Sequence, residues 1–201
     1  MHNLVRIMVN RNPRGLIVYG TSYGATKGTS EEIARTLREE NFEVDLVNVQ
    51  EVKVEDISEY KLVIVGSSLA NCIWNSQAEN FLKKFRKEFD HKALALFVSS
   101  IAPIAEREGN AEELTKIRKL ALDDKMSKYG LKPIMTGLFG GVLDYNNMGF
   151  LTRKAMEVVF KSRLQNNGFK ELQPGVYDFR DWDEIRSWIK ELAKRLESDI
   201  I

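Results

Sequence analysis

The sequence predicts an α/β fold built on a parallel sheet. Five times along the chain, a strand-like apolar segment is followed by a stretch of helical period, which is typical of strand–helix–strand units with right-handed crossovers. Four of the apolar segments end in glycine or serine, as expected where a buried strand enters a loop. The chain has 201 residues. Five strands and five helices of average length need roughly 130–150, which leaves about fifty residues in addition.

Local patterns place the individual elements. The predicted strands cover residues 16–19, 42–47, 62–65, 93–98 and 133–139, and the predicted helices cover residues 31–40, 76–89, 110–129 and 181–196. The second strand alternates between apolar and polar residues, which favours an edge position, whereas the others are continuous apolar runs. Three predicted helices begin with capping-box pairs, which are Ser76 with Glu79, Asn110 with Glu113, and Asp181 with Glu184.

Composition excludes several classes of protein. The chain has 30 Lys and Arg against 29 Asp and Glu, so it lacks the basic excess of a nucleic-acid-binding protein. No apolar run approaches the ~18 residues of a membrane-spanning helix. A single cysteine, Cys72, excludes a disulfide framework within the chain and a cysteine-rich metal site. We therefore expect no nucleic acid, no metal, and a cytoplasmic protein that is either free or peripherally attached to the inner face of the cell membrane.

The loop that follows the first strand has the composition of an anion site. Ligands of open α/β sheets bind outside the carboxyl ends of the strands, and residues 20–27 are rich in hydroxyl and small side chains where a helix begins. The chain has no Gly-Lys pair, as a Walker A loop requires, and its glycines at positions 20, 24 and 28 do not match G-x-G-x-x-G. A monophosphate held by hydroxyls and backbone amides remains, with a simple capped turn as the alternative.

Residues Thr21-x-x-Gly24-x-Thr26, after Val18-Tyr19-Gly20, resemble the phosphate loop of flavodoxins. The resemblance implies a flavodoxin-like three-layer sandwich, with a five-stranded parallel sheet in the order 2-1-3-4-5 and FMN as cofactor. It places FMN against three loops, whose residues are Thr21, Ser22, Tyr23, Gly24, Ala25, Thr26, Ser68, Leu69, Ala70, Asn71, Cys72, Ile73, Trp74, Ser99, Ser100 and Ile101.

A narrower resemblance covers most of residues 15–196. Gly66-Ser67-Ser68-Leu69, residues 137–145 and residues 177–182 resemble the flavodoxin-like, menaquinone-dependent protoporphyrinogen dehydrogenases. This implies a flavin-dependent dehydrogenase that oxidises a bulky porphyrinogen-like substrate and passes electrons to a quinone. The chain departs from that family at residues 70–75, which lack the family's Arg-Tyr pair. The alternative is an electron carrier that acts between redox partner proteins and has no small-molecule substrate of its own.

Several candidate residues have two interpretations. Trp74 lies where flavodoxins place an aromatic ring against the isoalloxazine, but it equally suits a hydrophobic anchor at the start of the next helix. Cys72 either contacts the flavin or serves as a small apolar residue in a tight loop. Tyr23 lies near the phosphate or is exposed. The sequence places no catalytic acid or base.

The additional residues lie mainly in one place. We expect an N-terminal extension over residues 1–13 and one domain over residues 14–198, with an insertion at about 141–178 beside the flavin. Residues 150–164 within this insertion mix apolar and basic side chains. Such a helix suits a membrane surface, where the flavin could meet a quinone, and equally suits a packing surface or a homodimer surface.

Overall fold

The computed structural model describes residues 12–70 and 72–198. Its strands are β1 (Arg14–Gly20), β2 (Glu43–Asn48), β3 (Leu62–Ala70), β4 (Ile73–Trp74), β5 (Ala93–Ser100), β6 (Met135–Gly140), β7 (Val142–Asp144) and β8 (Val176–Asp178). Five of them form a parallel sheet in the order β2-β1-β3-β5-β6, and the two-residue β4 pairs antiparallel with the end of β3. With the short β4 set aside, this is the predicted order 2-1-3-4-5, which is confirmed.

Helices cover both faces of the parallel sheet. They are α1 (Ala25–Glu39), α2 (Ser76–Phe85), α3 (Ala102–Arg107), α4 (Ala111–Arg118), α5 (Asp124–Tyr129), α6 (Phe150–Asn166) and α7 (Trp182–Ser198). Successive strand residues point to opposite faces, so Ile17 packs in the core under α1 and α7, while Val18 packs in the core under α2. The molecule is therefore the three-layer sandwich that the sequence predicts.

The structure corrects one predicted helix cap. Asn75, not Ser76, caps α2, because its side-chain oxygen accepts hydrogen bonds from the backbone N–H groups of Gln77 at 3.1 Å and Ala78 at 3.3 Å. Glu79 makes its hydrogen bonds elsewhere, with α5. Ser and Asn are both good capping residues, so their adjacent positions left the sequence pattern open to a shift of one residue.

The other two predicted caps are confirmed. The side chain of Asn110 accepts from the N–H of Glu113, and the side chain of Asp181 accepts from the N–H of Glu184, each at 3.0 Å. Each bond satisfies a backbone donor that has no partner within its own helix.

Several element bounds differ from the prediction. α1 begins at residue 25 rather than 31, and α2 ends at residue 85 rather than 89. The helix predicted over 110–129 contains a π-helical segment, Lys119–Asp123, between α4 and α5. β3 continues to residue 70, through the Gly-Ser-Ser segment that was expected to end it. Hydrophobic period alone does not distinguish these cases, since it locates the centre of an element better than its ends.

The residues after β6 form a unit of their own on the sheet. β7 and β8 pair antiparallel, and α6 between them buries Phe160 and Leu164 against Leu143 and Phe179. The chain after β8 passes close to β6, so that a Cβ at Gly140 would lie only 1.9 Å from the carbonyl oxygen of Phe179.

Residues 1–11 of the predicted N-terminal extension lie outside the described residues. No described helix is long and apolar enough to cross a membrane.

Glu79 joins α2 to α5 through charged hydrogen bonds. Its carboxylate accepts from Lys125 at 2.7 Å, Lys128 at 2.9 Å and the Tyr129 hydroxyl at 2.6 Å. Partial burial would raise the pKa of Glu79, but these three donors stabilise the charged form more, and the pKa falls from 4.5 to about 2. A carboxyl group whose pKa is lower in the folded state stabilises the fold at pH values above its unfolded-state pKa. This stabilisation is lost as the pH falls through the folded-state pKa.

We predict that Glu79→Gln lowers the free energy of unfolding at pH 7 by about 1–3 kcal/mol. The difference from the parent protein should shrink as the pH falls from 4.5 towards 2, because the parent Glu79 is protonated over that range. Urea unfolding at a series of pH values measures it. Glu112→Gln, at an exposed glutamate of α4, is the control and should show little change. An equal, pH-independent loss in both variants would contradict the assignment.

Candidate functional site

A cavity lies at the carboxyl ends of the parallel strands. It has an accessible volume of about 110 Å³ and is partly open to solvent. Strand pairing brings its walls together, because Ser68 pairs with Ser99 across β3 and β5, and Ser100 pairs with Gly140 across β5 and β6. The lining residues are Thr21, Tyr23, Ala25, Ser68, Leu69, Ala70, Ser99, Ser100, Ile101, Gly141, Val142, Leu143, Met148, Thr152 and Met156.

The first loop ends at a helix start that no side chain caps. Gly24 precedes α1 with a φ of +86°, a left-handed conformation that glycine adopts without strain, and open space surrounds the position of its missing Cβ. Thr21 Oγ1 accepts from the N–H of Gly24 at 2.9 Å and not from the helix. The first N–H groups of α1 thus lack a side-chain acceptor, and this is where an anion binds a helix.

Hydroxyl groups connect the first loop to its neighbours. Ser22 bonds to Ser68 Oγ through its N–H at 3.1 Å and its hydroxyl at 3.0 Å. The N–H of Thr21 donates to Gln50 Oε1 at 2.8 Å. Sequence reasoning missed Gln50, although it follows β2, which the predicted strand order places beside β1.

Two buried hydroxyls at this edge of the sheet have no hydrogen-bond partner among the described residues. They are Thr26 Oγ1, in the first turn of α1, and Ser99 Oγ, in the cavity wall. A buried hydroxyl without a partner destabilises a protein unless a ligand or solvent satisfies it. Both side chains are among the residues predicted from the sequence. Ser99 lines the cavity, whereas Thr26 is fully buried and does not line it.

The second predicted loop is only partly at the cavity. Ser68, Leu69 and Ala70 line it. Cys72 is exposed with a φ of +63°, and Ile73 has 65% of its surface exposed; neither lines the cavity. Asn71 lies outside the described residues.

Trp74 is in the hydrophobic core and not in the cavity. Only 2% of its surface is exposed, and its indole N–H donates to the carbonyl of Ala121 at 2.6 Å, in the π-helical segment. Burial and this hydrogen bond fix the ring between the sheet and the helices of that face. This corrects the interpretation of Trp74 as a flavin-stacking residue and matches the alternative, a hydrophobic anchor before α2.

The third predicted loop lines the cavity over its whole length, through Ser99, Ser100 and Ile101. Ser100 Oγ accepts from the N–H of Ala102 at 3.1 Å and so holds the turn into α3. Tyr23 also lines the cavity and has 41% of its surface exposed, which agrees with the exposed interpretation; its place near the phosphate stays a prediction. Among the described residues, Tyr23 is the only ionisable residue in the lining, which there contains no carboxylate, histidine or lysine.

The insertion supplies one wall of the cavity. The sequence predicted an insertion beside the flavin but did not indicate which of its residues line the cavity. Met148, Thr152 and Met156 line the cavity from α6 and the segment before it. Thr152 and Met156 are four residues apart and so share one helical face. The i,i+4 spacing was visible in the sequence, but nothing there indicated which face of α6 meets the strand ends.

Arg163 holds α6 in place against the sheet-covering helices. It donates to Glu113 at 2.7 Å and to Glu108, and this pairing lowers the pKa of the Glu108 carboxyl. A guanidinium bound by two carboxylates has fixed geometry, so it orients the helix that carries the cavity wall.

Comparison with known proteins identifies the family. The family model described as "Flavodoxin domain" matches residues 16–167. The chain belongs to the flavodoxin domain family. It is 22% identical over 188 residues to protoporphyrinogen IX dehydrogenase (quinone) of Leishmania major, covering 92% of this chain and 77% of that protein. It is 19% identical over 178 residues to the Escherichia coli K12 protein of the same name, covering 89% and 93%.

Solved structures show similarity at low identity. Fusobacterium nucleatum flavodoxin bound to flavin mononucleotide is 17% identical, with a TM-score of 0.48 and coverage of 90% of this chain and 98% of that one. Rubredoxin oxygen:oxidoreductase from Desulfovibrio gigas is 18% identical, with a TM-score of 0.43 over 79% of this chain. The chain spans 37% of that longer protein.

Family membership supports FMN as the cofactor and a flavin oxidoreductase as the class of protein, and the site passes a test of fit. The uncapped start of α1 suits a phosphate, and the unpartnered Thr26 hydroxyl lies in its first turn. The cavity beside it offers apolar walls and the free Ser99 hydroxyl to a flat heteroaromatic ring.

We predict that Thr26→Val raises the Kd for FMN by about 10- to 100-fold, since a hydrogen bond to a charged group contributes about 1.5–3 kcal/mol. A fluorescence titration with FMN measures it. Thr36→Val is a matched control, because Thr36 is also fully buried in α1 with an unpartnered hydroxyl, but lies far along the helix from the loop. Equal weakening in both variants would point to helix packing and not to phosphate binding.

We predict that Trp74→Phe lowers the free energy of unfolding by about 1–3 kcal/mol, because it leaves the Ala121 carbonyl without its donor. The affinity for FMN should not change, since Trp74 does not line the cavity. Chemical denaturation and FMN titration of the same preparation separate the two effects. A large loss of FMN affinity at unchanged stability would restore the stacking interpretation.

Proposed function

We propose that this chain binds FMN in the cavity and is a dehydrogenase for a bulky, porphyrinogen-like reduced substrate, with a quinone as electron acceptor. The observation that carries the proposal is the wall that α6 and the segment before it add to the cavity, through Thr152, Met156 and Met148. An electron carrier needs only the flavin edge exposed, whereas an added apolar wall suits a large apolar substrate. The names of the two relatives support the same substrate and acceptor.

The residues have distinct roles in this proposal. The start of α1, with Thr21, Ser22 and Thr26, holds the phosphate. The third loop, residues 99–101, orients the ring through backbone groups and the Ser99 hydroxyl. When bound, FMN accepts electrons from the reduced substrate and delivers them to the acceptor. The chain supplies binding, orientation and an apolar wall that excludes water, and among the described residues of the lining Tyr23 is the ionisable group.

We also propose that residues 14–198 act as one domain in which residues 141–178 are the substrate-side insertion. α6 packs against Leu143 and Phe179, and Phe160 and Leu164 are its buried contacts. This small core includes Ile104 of α3, so the insertion shares packing with the rest of the fold. Such continuity supports a fixed wall and argues against a separately folded module.

The experiment begins with the visible spectrum of the purified protein and a titration with FMN. Anaerobic oxidation of protoporphyrinogen with a quinone then tests for an enzyme. We predict that Thr152→Phe lowers kcat/KM by about tenfold or more, because the larger side chain narrows the mouth of the cavity. Ser162→Phe, at an exposed position of α6 outside the lining, is the matched control and should keep full turnover.

Each outcome decides one part of the proposal. Absence of flavin absorbance together with absence of FMN binding would overturn it entirely. FMN binding without porphyrinogen turnover, combined with rapid reduction by a redox partner protein, would replace the dehydrogenase by the electron-carrier alternative. Equal turnover of Thr152→Phe and Ser162→Phe would remove the role given to the α6 wall.

A further inference from the structure

A second cavity, which we call the insertion pocket, lies within the insertion after β6. Its accessible volume is about 400 Å³, and it is partly open to solvent. Its lining is mainly polar and consists of Tyr145, Asn146, Arg153, Glu157, Lys161, Gln165, Glu171, Pro174, Gly175 and Tyr177. No described residue lines both this pocket and the cavity at the strand ends. The insertion pocket is therefore a separate space, and the proposed function does not use it.

Helix α6 separates the two cavities. At 3.6 residues per turn, Lys161 lies about 180° round the helix from Thr152, and Gln165 lies about 180° round from Met156. Thr152 and Met156 line the cavity at the strand ends, whereas Lys161 and Gln165 line the insertion pocket. A ligand in the insertion pocket would thus leave the flavin site free.

Hydrogen bonds and ring packing hold the wall of the insertion pocket that faces α6. The N–H of Tyr145 donates to the carbonyl of Gly175 at 2.9 Å, and the Asn146 amide donates to the carbonyl of Pro174 at 2.9 Å. The rings of Tyr145 and Tyr177 meet edge to face, with 6.2 Å between their centres. Because the chain makes these contacts with itself, this wall is formed before any ligand binds.

The hydroxyl of Tyr145 is a buried donor without an acceptor. Tyr145 is 5% exposed, and its hydroxyl has no hydrogen-bond partner among the described residues. The neighbours that act on this phenol electrostatically, Tyr177, Glu157 and Glu171, all line the insertion pocket, so the hydroxyl lies at the pocket. Burial first, and then these neighbours, raise the pKa of Tyr145 to about 12, so the hydroxyl keeps its proton. A ligand with an acceptor would remove the cost of this unsatisfied group.

Two charged groups of the lining lack a partner of opposite charge. Lys161 forms no ion pair within residues 12–70 and 72–198, although Arg153 and Glu157 beside it pair with each other at 2.7 Å. Glu171 accepts from the neutral Tyr177 hydroxyl at 3.1 Å and from no cation of the described part of the chain. Single charges are common on protein surfaces, but these two line the same pocket as a buried donor that lacks an acceptor.

We propose that the insertion pocket binds a small zwitterion of the amino-acid type. Its carboxylate would accept from Lys161 and from the Tyr145 hydroxyl, and its ammonium group would donate to Glu171. Hydrogen bonds to charged groups are the strong ones, and a zwitterion forms them with all three side chains. A simple anion would leave Glu171 unmatched, and a simple cation would leave Lys161 unmatched. The proposal does not rest on the proposed function, because it uses neither FMN nor the cavity at the strand ends.

The test is calorimetric titration of the full chain, purified with FMN, using charged probes of one carbon skeleton. The probes are 4-aminobutanoate, butanoate and 1-aminobutane, which are a zwitterion, an anion and a cation of matched size. Glycine and 6-aminohexanoate, each with its matched acid and amine, vary the separation between the two charges. We expect the zwitterion of the best-fitting length to bind about tenfold more tightly, or better, than the acid or the amine of that length.

Variants assign the binding to the three side chains. Tyr145→Phe should raise the Kd of the zwitterion about tenfold, because it removes a donor to a charged group. It should not lower the free energy of unfolding, since the lost hydroxyl has no hydrogen bond in the free protein. Lys161→Gln and Glu171→Gln should each weaken binding. Lys154→Gln is the matched control, because Lys154 is an exposed lysine of α6 outside the lining.

Three results would overturn the proposal: no binding of a zwitterion of any length, equal affinity for the zwitterion and its matched acid or amine, or equal affinity in Lys161→Gln and Lys154→Gln. The last comparison uses exposed positions, so it holds even where Tyr145→Phe fails to fold. An FMN titration accompanies each variant. Unchanged FMN affinity with lost zwitterion binding separates the insertion pocket from the flavin site, so either proposal can fail without the other.

Discussion

The parallel pairing of β3 with β5, and of β5 with β6, fixes the geometry on which the site depends. The carboxyl ends of these three strands lie at the same level in the sheet, because Ser68 pairs with Ser99 and Ser100 pairs with Gly140. A slip of one residue would turn every side chain of a strand to the other face and exchange the two cores. The cores, which bury Ile17 on one face and Val18 on the other, therefore hold the cavity walls in register.

The first turn of α1 differs from those of α2, α4 and α7 because no side chain caps it; α6, which follows Gly149, also starts without a side-chain cap. Asn75, Asn110 and Asp181 satisfy the donors of α2, α4 and α7 with their own side chains. α1 instead follows Gly24, which contributes no side chain, and Thr26 adds an unpartnered hydroxyl nearby. The local sequence thus gives up the stability of a cap, about 1 kcal/mol, at a helix start beside the cavity.

Sequence patterns predicted the sheet order, the layers and the edge of the sheet at which the cavity lies, because each follows from contacts within a few residues or from strand polarity. They failed where a choice depends on distant partners. Trp74 is drawn into the core by the Ala121 carbonyl, 47 residues away in the chain. Thr152 and Met156 reach the cavity only because the insertion core rotates α6 that way. Local pattern carries no information on either contact.

The two sides of α6 serve different requirements, and only the buried side contributes to the packing of the fold. Phe160, Leu164 and Arg163 already determine where the helix lies, through the insertion core and the paired glutamates. Polar residues at Leu151 or Val158 would leave those contacts intact and would favour solubility. Apolar side chains there have no structural role within the chain, so their effect on free energy depends on what covers them. A surface next to the cavity mouth is where a partner that exchanges electrons or substrate with the site would have to bind.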